Sequence, residues 1–167
     1  MKTIGIINII YGGLGILGGI ITILVLIIQM FVFGFLQHNL PPMSSEDYEI
    51  MMKVQDAYTL NFFIVPVSIL IATLFLISGI RILKKNISGV KLAISASISS
   101  IAFYFISAGL VWFMFLQKIF ATIPGVDIQK LGYFYLAIII VAGVFNIGYP
   151  VFQLIYLKKE KFLKYFE

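Results

Sequence analysis

The chain contains no cysteine and a single histidine, His38. The first absence excludes disulfides, thiolate metal sites, iron–sulfur clusters and dithiol redox chemistry. The second excludes a bis-histidine haem within one copy, and His38, just past an apolar run, reads as a solvated loop residue. Charge is scarce too: 11% of the 167 residues are Asp, Glu, Lys or Arg, against 61% hydrophobic. A soluble domain carries about a quarter charged residues. With a mean hydropathy of +1.07, no soluble core of this size hides the apolar surface, so a second apolar phase must receive it. The net charge of +5 does not point to nucleic acid, because that needs basic residues gathered on a solvent-exposed face. Here they stand at the ends of apolar runs.

Those runs are what the chain has in abundance. Residues 3–36, 57–80, 92–117 and 131–157 hold no Asp, Glu, Lys or Arg. Each exceeds the roughly 20 residues that cross about 30 Å of hydrocarbon as a helix. Backbone groups find no water in lipid, so continuous apolar runs must be helical. The expected fold is all-α, an integral membrane four-helix bundle forming one domain over 1–167. Its spans are about 4–36, 58–83, 91–117 and 131–157. Outer loops fall at about 37–57 and 118–130, a cytoplasmic turn at 84–90 and a cytoplasmic tail at 158–167. The first run is too long for the apolar core of a signal peptide, and no small-residue cleavage site follows it. Residues from Met1 onward are expected to be retained.

Orientation follows from the flanking cations. Lys2, Arg81, Lys84, Lys85, Lys91, Lys158, Lys159, Lys161 and Lys164 lie on one side; Lys53, Lys118 and Lys130 lie on the other. Nine against three puts both termini in the cytoplasm, with the chain in the inner or plasma membrane. Pro41 and Pro42 are expected to end helix 1. Ser44 to Asp47 reads as a helix start, with a serine cap and early carboxylates. Tyr48, Met51 and Met52 would then line a short amphipathic helix on the membrane surface. Pro124-Gly125 marks a turn, and the lysine–aromatic tail suits an interfacial helix.

Both halves read as a small-rich helix, an outer loop with proline, a returning helix and a Leu-Lys-Lys stop, at Leu83-Lys84-Lys85 and Leu157-Lys158-Lys159. A weak two-hairpin repeat would give this pattern. Helices in lipid associate through close backbone approach and polar contacts. Helix 1 offers Gly12, Gly13, Gly15, Gly18 and Gly19, with Gly15 and Gly19 in GxxxG spacing; helix 3 offers Ser95 and Ser99, also four apart. The expectation is a close helix 1–helix 3 crossing, or a face for a partner. Phe31, Phe33 and Phe35 stand level with Phe103, Tyr104, Phe105, Trp112, Phe113 and Phe115; aromatics near an interface anchor depth in the headgroup region, and some of these are expected to fill space where helices diverge. Asn8, Gln29, Asn61, Asn146 and Gln153 should bond to neighbouring helices, and Pro66 and Pro150 free carbonyls. The stretch Asn146-Ile147-Gly148-Tyr149-Pro150 is the most irregular of any span and the first candidate site.

With no charged residue or histidine inside any of the four apolar runs, an ion-coupled transporter has no coupling group. Small multidrug exporters need a membrane glutamate, claudins a tryptophan and paired cysteines, vitamin K reductase-like enzymes cysteines, and four-helix cytochromes axial histidines. This chain has none of them in place. No catalytic, cofactor or metal constellation is present. The glycine-rich 11–20 segment, with Leu76-Ile77-Ser78-Gly79-Ile80 and Lys84-Lys85 before a short turn, resembles the small uncharacterised four-span membrane proteins of prokaryotes. That resemblance is one of topology and implies no activity. The expected role is a non-enzymatic accessory or scaffold subunit, in contact with the lipid bilayer and with other membrane subunits or itself. A self-assembling pore, favoured by the serine row, and a lipid- or quinone-binding module, favoured by the aromatics, are the alternatives.

Overall fold

The computed structural model describes residues 2–39, 44–121 and 127–157. Five α-helices appear: α1 (Lys2–Asn39), α2 (Ser45–Leu83), α3 (Ile87–Val111), α4 (Gln117–Phe120) and α5 (Ile128–Leu157). A π-helical turn, Trp112–Leu116, joins α3 to α4 without a break. Four stretches are long and apolar enough to cross a bilayer: Lys2–Leu36, Thr59–Leu83, Ile87–Met114 and Ile128–Leu157. The protein is an all-α four-helix membrane bundle, and the charge-free runs supply its helices. Pro41, Pro42, Pro124-Gly125 and the 158–167 tail lie outside the described residues.

The segment before span 2 differs from expectation. No separate surface helix forms; α2 runs unbroken through 39 residues, about 58 Å at 1.5 Å per residue. Nothing between Ser45 and Thr59 stops a helix, since neither proline nor glycine occurs there. The polar first turns therefore continue the axis of the span, and Tyr48 and Met52 are exposed. The basic turn is also tighter than expected. Asn86 caps α3, its side chain accepting from the Ser88 N–H at 2.9 Å. Lys85 takes φ 54° to make the reversal. Gly89 lets α3 return against α2, because a Cβ there would stand 2.7 Å from the Ile82 nitrogen. At the other end Asp127 caps α5, accepting from the N–H groups of Gln129 (3.0 Å) and Lys130 (3.2 Å).

The glycines of α1 meet α2, and the expected helix 1–helix 3 crossing does not form. The helices pack in chain order, α1 on α2, α2 on α3 and α3 on α5. A Cβ on Gly12 would stand 2.5 Å from the Ala72 carbonyl oxygen and 2.6 Å from the Leu76 nitrogen. One on Gly15 would meet the Ala72 Cβ at 2.8 Å, and one on Gly19 the Ile69 side chain at 2.3 Å. Gly5 sits as tightly against Leu83 and Gly79. Positions 5, 8, 12, 15 and 19 thus oppose 83, 79, 76, 72 and 69, both rows spaced by threes and fours so that each forms one face. The glycines of α1 take up a row on α2 in which Gly79 and Ala72 alternate with Leu83, Leu76 and Ile69, and α2 follows directly in the chain, whereas the serines of α3 do not.

All four spans converge at the end that carries Lys2, Arg81, Lys84, Lys85 and Lys91. Ile4, Ile82, Val90, Ala93 and Leu157 make an apolar layer there. Four residues further into each span lies a polar layer of Asn8, Ser78, Ser97 and Gln153, all fully buried. Next comes an aromatic layer, with Tyr11 packed against Phe75 (5.0 Å between centroids) and Tyr149 (5.2 Å). Away from these layers burial thins out: Phe31, Phe35, Phe105 and Phe113 are exposed, while Tyr104 and Trp112 stand between α3 and α5.

Candidate functional site

Asn8 is the hub of the polar layer. Its Nδ2 donates to Ser78 Oγ at 2.9 Å, and its Oδ1 accepts from Gln153 Nε2 at 2.7 Å and from the Tyr149 hydroxyl. Ser97 Oγ donates to Gln153 Oε1 at 2.8 Å, and Ser78 Oγ donates to the Phe75 carbonyl at 2.7 Å. One side chain from each of α1, α2 and α3, and two from α5, form a closed network. Among the described residues no buried side-chain nitrogen or oxygen lacks a partner. Each interhelical bond contributes about 0.6 kcal/mol and at most about 1.7 kcal/mol in a membrane. Breaking one strands its partner in a dry interior, at about 1–3 kcal/mol. The set is neutral amides and hydroxyls, with no base, acid or nucleophile pair. Among the described residues no three His, Cys, Asp or Glu come together to hold a metal.

The irregular stretch of α5 belongs to the same junction. Pro150 is buried within the helix and has no N–H for the Asn146 carbonyl. The Tyr11 hydroxyl donates to that oxygen at 2.7 Å. Asn146 turns its side chain back to the Ala142 carbonyl at 2.8 Å. Gly148 has nothing within 4 Å of a would-be Cβ. The three candidates thus divide: Asn146 and Pro150 serve the α1 contact, while Gly148 faces open space.

The small-residue candidates divide as well. Gly12, Gly15 and Gly19 lie in the α2 seam, but Gly18 has no neighbour within 4 Å. Ser95 is exposed and Ser99 half-buried; Ser97, between them, makes the bond to Gln153. Ser78 was not given a polar role by sequence reasoning, Ser97 entered only as a small residue of helix 3, and Tyr149 only as part of the irregular stretch of α5. The available signal was register: counted inward from the basic stops, Ser78 and Ser97 fall at the depth of Asn8 and Gln153, while Tyr149 lies one turn further in and reaches back to Asn8.

A second feature lies along the other side of α5. Tyrosines bridge α3 and α5: the Tyr104 hydroxyl donates to the Ile139 carbonyl at 2.5 Å, and that of Tyr135 to the Ala108 carbonyl at 3.1 Å. Gly143 makes room for the Tyr104 ring, 3.4 Å from a would-be Cβ, and Trp112 stacks on Tyr135 at 5.3 Å. Rings hold the helices apart where glycines would let them close. The result is an apolar groove of about 1110 Å³ lined from Ile128 to Val151 on α5 and from Tyr104 to Phe113 on α3. The π-helical turn, a widened turn often found at functional positions, starts at its rim with Trp112.

No family model matches the chain, and neither a curated protein nor a solved structure matches it.

Proposed function

We propose that the protein is a non-catalytic accessory or scaffold subunit of a larger complex in the inner or plasma membrane, with both termini and the Lys84–Asn86 turn in the cytoplasm. The reading of orientation rests on the sequence, in which nine cations flank the spans on one side against three on the other. The reading of role rests on α5. That helix packs along α3 and touches α1 through the polar junction, and its remaining face carries an apolar ridge. Phe134, Ile138, Val141, Phe145 and Phe152 are three, four or seven residues apart and all exposed, Phe145 at 80%. Such a ridge suits the groove of a neighbouring membrane helix. A reaction centre, by contrast, has no support in the neutral, fully bonded polar layer. A pore gains little from α3, whose central serine is spent on Gln153.

Purification from native membranes in mild detergent, followed by mass spectrometry, tests this reading. Recovery of a stoichiometric membrane partner that is lost on Phe145→Ala is the expected result. Recovery of the chain alone at endogenous expression contradicts it.

A further inference from the structure

We propose that the basic end of the bundle, where Lys2, Arg81, Lys84, Lys85 and Lys91 gather, is a binding surface for the headgroups of anionic phospholipids. It involves neither the α5 ridge nor the α3–α5 groove, and it does not rest on the accessory-subunit reading.

Cations at the two ends of the bundle are in opposite states. At the far end Lys53 pairs with Glu49 at 2.7 Å and Lys130 with Asp127 at 3.6 Å. At the converging end Lys2, Arg81, Lys84, Lys85 and Lys91 are all exposed, and among the described residues none of them forms an ion pair. Five of the seven carboxylates, Glu46, Asp47, Glu49, Asp56 and Asp127, belong to the far end by sequence. The other two, Glu160 and Glu167, lie outside the described residues. Nor does the end of α2 use these charges as caps. Its last carbonyls, those of Ile80, Arg81 and Ile82, already accept from the N–H groups of Lys84 (3.1 Å), Asn86 (2.9 Å) and Lys85 (3.0 Å).

The turn gathers the charges. Gly89 lets α3 close on α2, its would-be Cβ 2.7 Å from the Ile82 nitrogen, and so brings Lys91 to the α2 end. Gly5 sits against Leu83, which sets Lys2, three residues earlier, level with the turn. Arg81 Nη1 donates to Ser88 Oγ at 3.3 Å, holding the guanidinium over the start of α3 with one of its five donors. Lys85 stands at φ 54°, the left-handed position after a helix where glycine is the usual residue. A lysine there supplies a charge that glycine lacks.

The surroundings favour a lipid over a soluble anion. Directly beneath the cations lies the apolar layer of Ile4, Ile82, Val90, Ala93 and Leu157. Beside them Leu83, Ile87 and Ile6 are exposed at 38%, 43% and 49%. A ligand that matches this surface carries an anion at the level of the cations and hydrocarbon immediately below it. A phospholipid has its phosphate and acyl chains in that order. Inorganic phosphate or an acidic peptide would meet the cations and leave the aliphatic side chains uncovered.

Full-length protein in dodecyl maltoside micelles is doped with dioleoyl phosphatidylglycerol or, in a second arm, with dioleoyl phosphatidylcholine, whose chains are the same and whose headgroup is neutral overall. Native mass spectrometry reads the lipid mole fraction at half-occupancy. Phosphatidylglycerol should be retained at a mole fraction about tenfold lower, equivalent to about 1.4 kcal/mol, and added salt should narrow the difference. Lys84→Gln and Lys85→Gly each remove a charge near the headgroups. Each should raise the phosphatidylglycerol value about fivefold, equivalent to about 1 kcal/mol, and leave the phosphatidylcholine value unchanged. Lys53→Gln and Lys130→Gln, at the far end, should change neither. Equal retention of the two lipids overturns the proposal, as does a loss of preference in the far-end variants that matches the loss in the turn variants. Displacement of phosphatidylglycerol by millimolar inorganic phosphate, or by an oligoglutamate peptide, overturns it too, since the occupant would then be a free anion or an acidic chain.

Discussion

The Tyr11 hydroxyl occupies the hydrogen-bonding vacancy that Pro150 creates: it donates at 2.7 Å to the Asn146 carbonyl, four residues before the proline. A defect in one helix thereby becomes the attachment point for another. Removing the donor with Tyr11→Phe should destabilise the bundle by about 0.5–1.5 kcal/mol, read by unfolding in mixed micelles. In a Pro150→Ala background the helix supplies its own N–H, and the same change should cost close to nothing. A double-mutant cycle isolates this coupling from the cavity the proline leaves. Equal costs in both backgrounds would refute the relationship.

Asn8 bonds to three side chains on two other spans, Ser78 on α2 and Gln153 and Tyr149 on α5, so its removal leaves several groups unpaired at once. Asn8→Leu should cost about 2–4 kcal/mol, from two or more stranded partners at about 1–3 kcal/mol each before partial relaxation. Gln153→Leu should cost about 1–3 kcal/mol alone. Together they should cost clearly less than the sum, because each removes groups the other leaves unsatisfied. Additive costs would show that the two side chains act independently.

The glycines of α1 make a sharper contrast, because neighbours in sequence have opposite surroundings. Gly12→Ala forces a methyl against the backbone of Ala72 and Leu76 and should destabilise by about 1–3 kcal/mol. Gly18→Ala enters open space and should be neutral or stabilising by up to about 1 kcal/mol, from improved helix propensity. Thermal unfolding in detergent reads both, and a reversed order would overturn the α1–α2 seam.

Lys85 is the described non-glycine residue with positive φ. Lys85→Val places a β-branched side chain in the left-handed region and should lower stability by about 1–2 kcal/mol. Lys85→Gly should match the natural protein or exceed it slightly. A Val variant as stable as the Gly variant would contradict the turn geometry.

The spans were legible because hydropathy alone defines them, and Asn8 and Gln153 were legible as polar residues in need of partners on other helices, whereas the side chain of Asn146 bonds back to the Ala142 carbonyl of its own helix. The partners themselves were not legible. Helices 1 and 3 both carry small residues at the same depth, but packing is pairwise. The row Ile69, Ala72, Leu76, Gly79, Leu83 on α2 complements α1 only when the two are set antiparallel. Continuity of α2 from Ser45 was readable in the lack of any breaker, yet polarity suggested a separate element. The α3–α5 groove was hardest to foresee. It depends on a π-helical turn at Trp112 and on tyrosines that reach across to backbone carbonyls, and neither leaves a mark in spacing or composition.

The lack of cysteine offers the most direct test of the whole architecture, since single substitutions meet no background. Lys53→Cys, Lys130→Cys and Lys85→Cys can each be exposed to a membrane-impermeant maleimide in intact cells. Labelling at 53 and 130, with 85 reactive only after permeabilisation, is the result this account predicts. Labelling of 85 in intact cells, or opposite behaviour of 53 and 130, would contradict a four-span bundle whose basic end faces the cytoplasm.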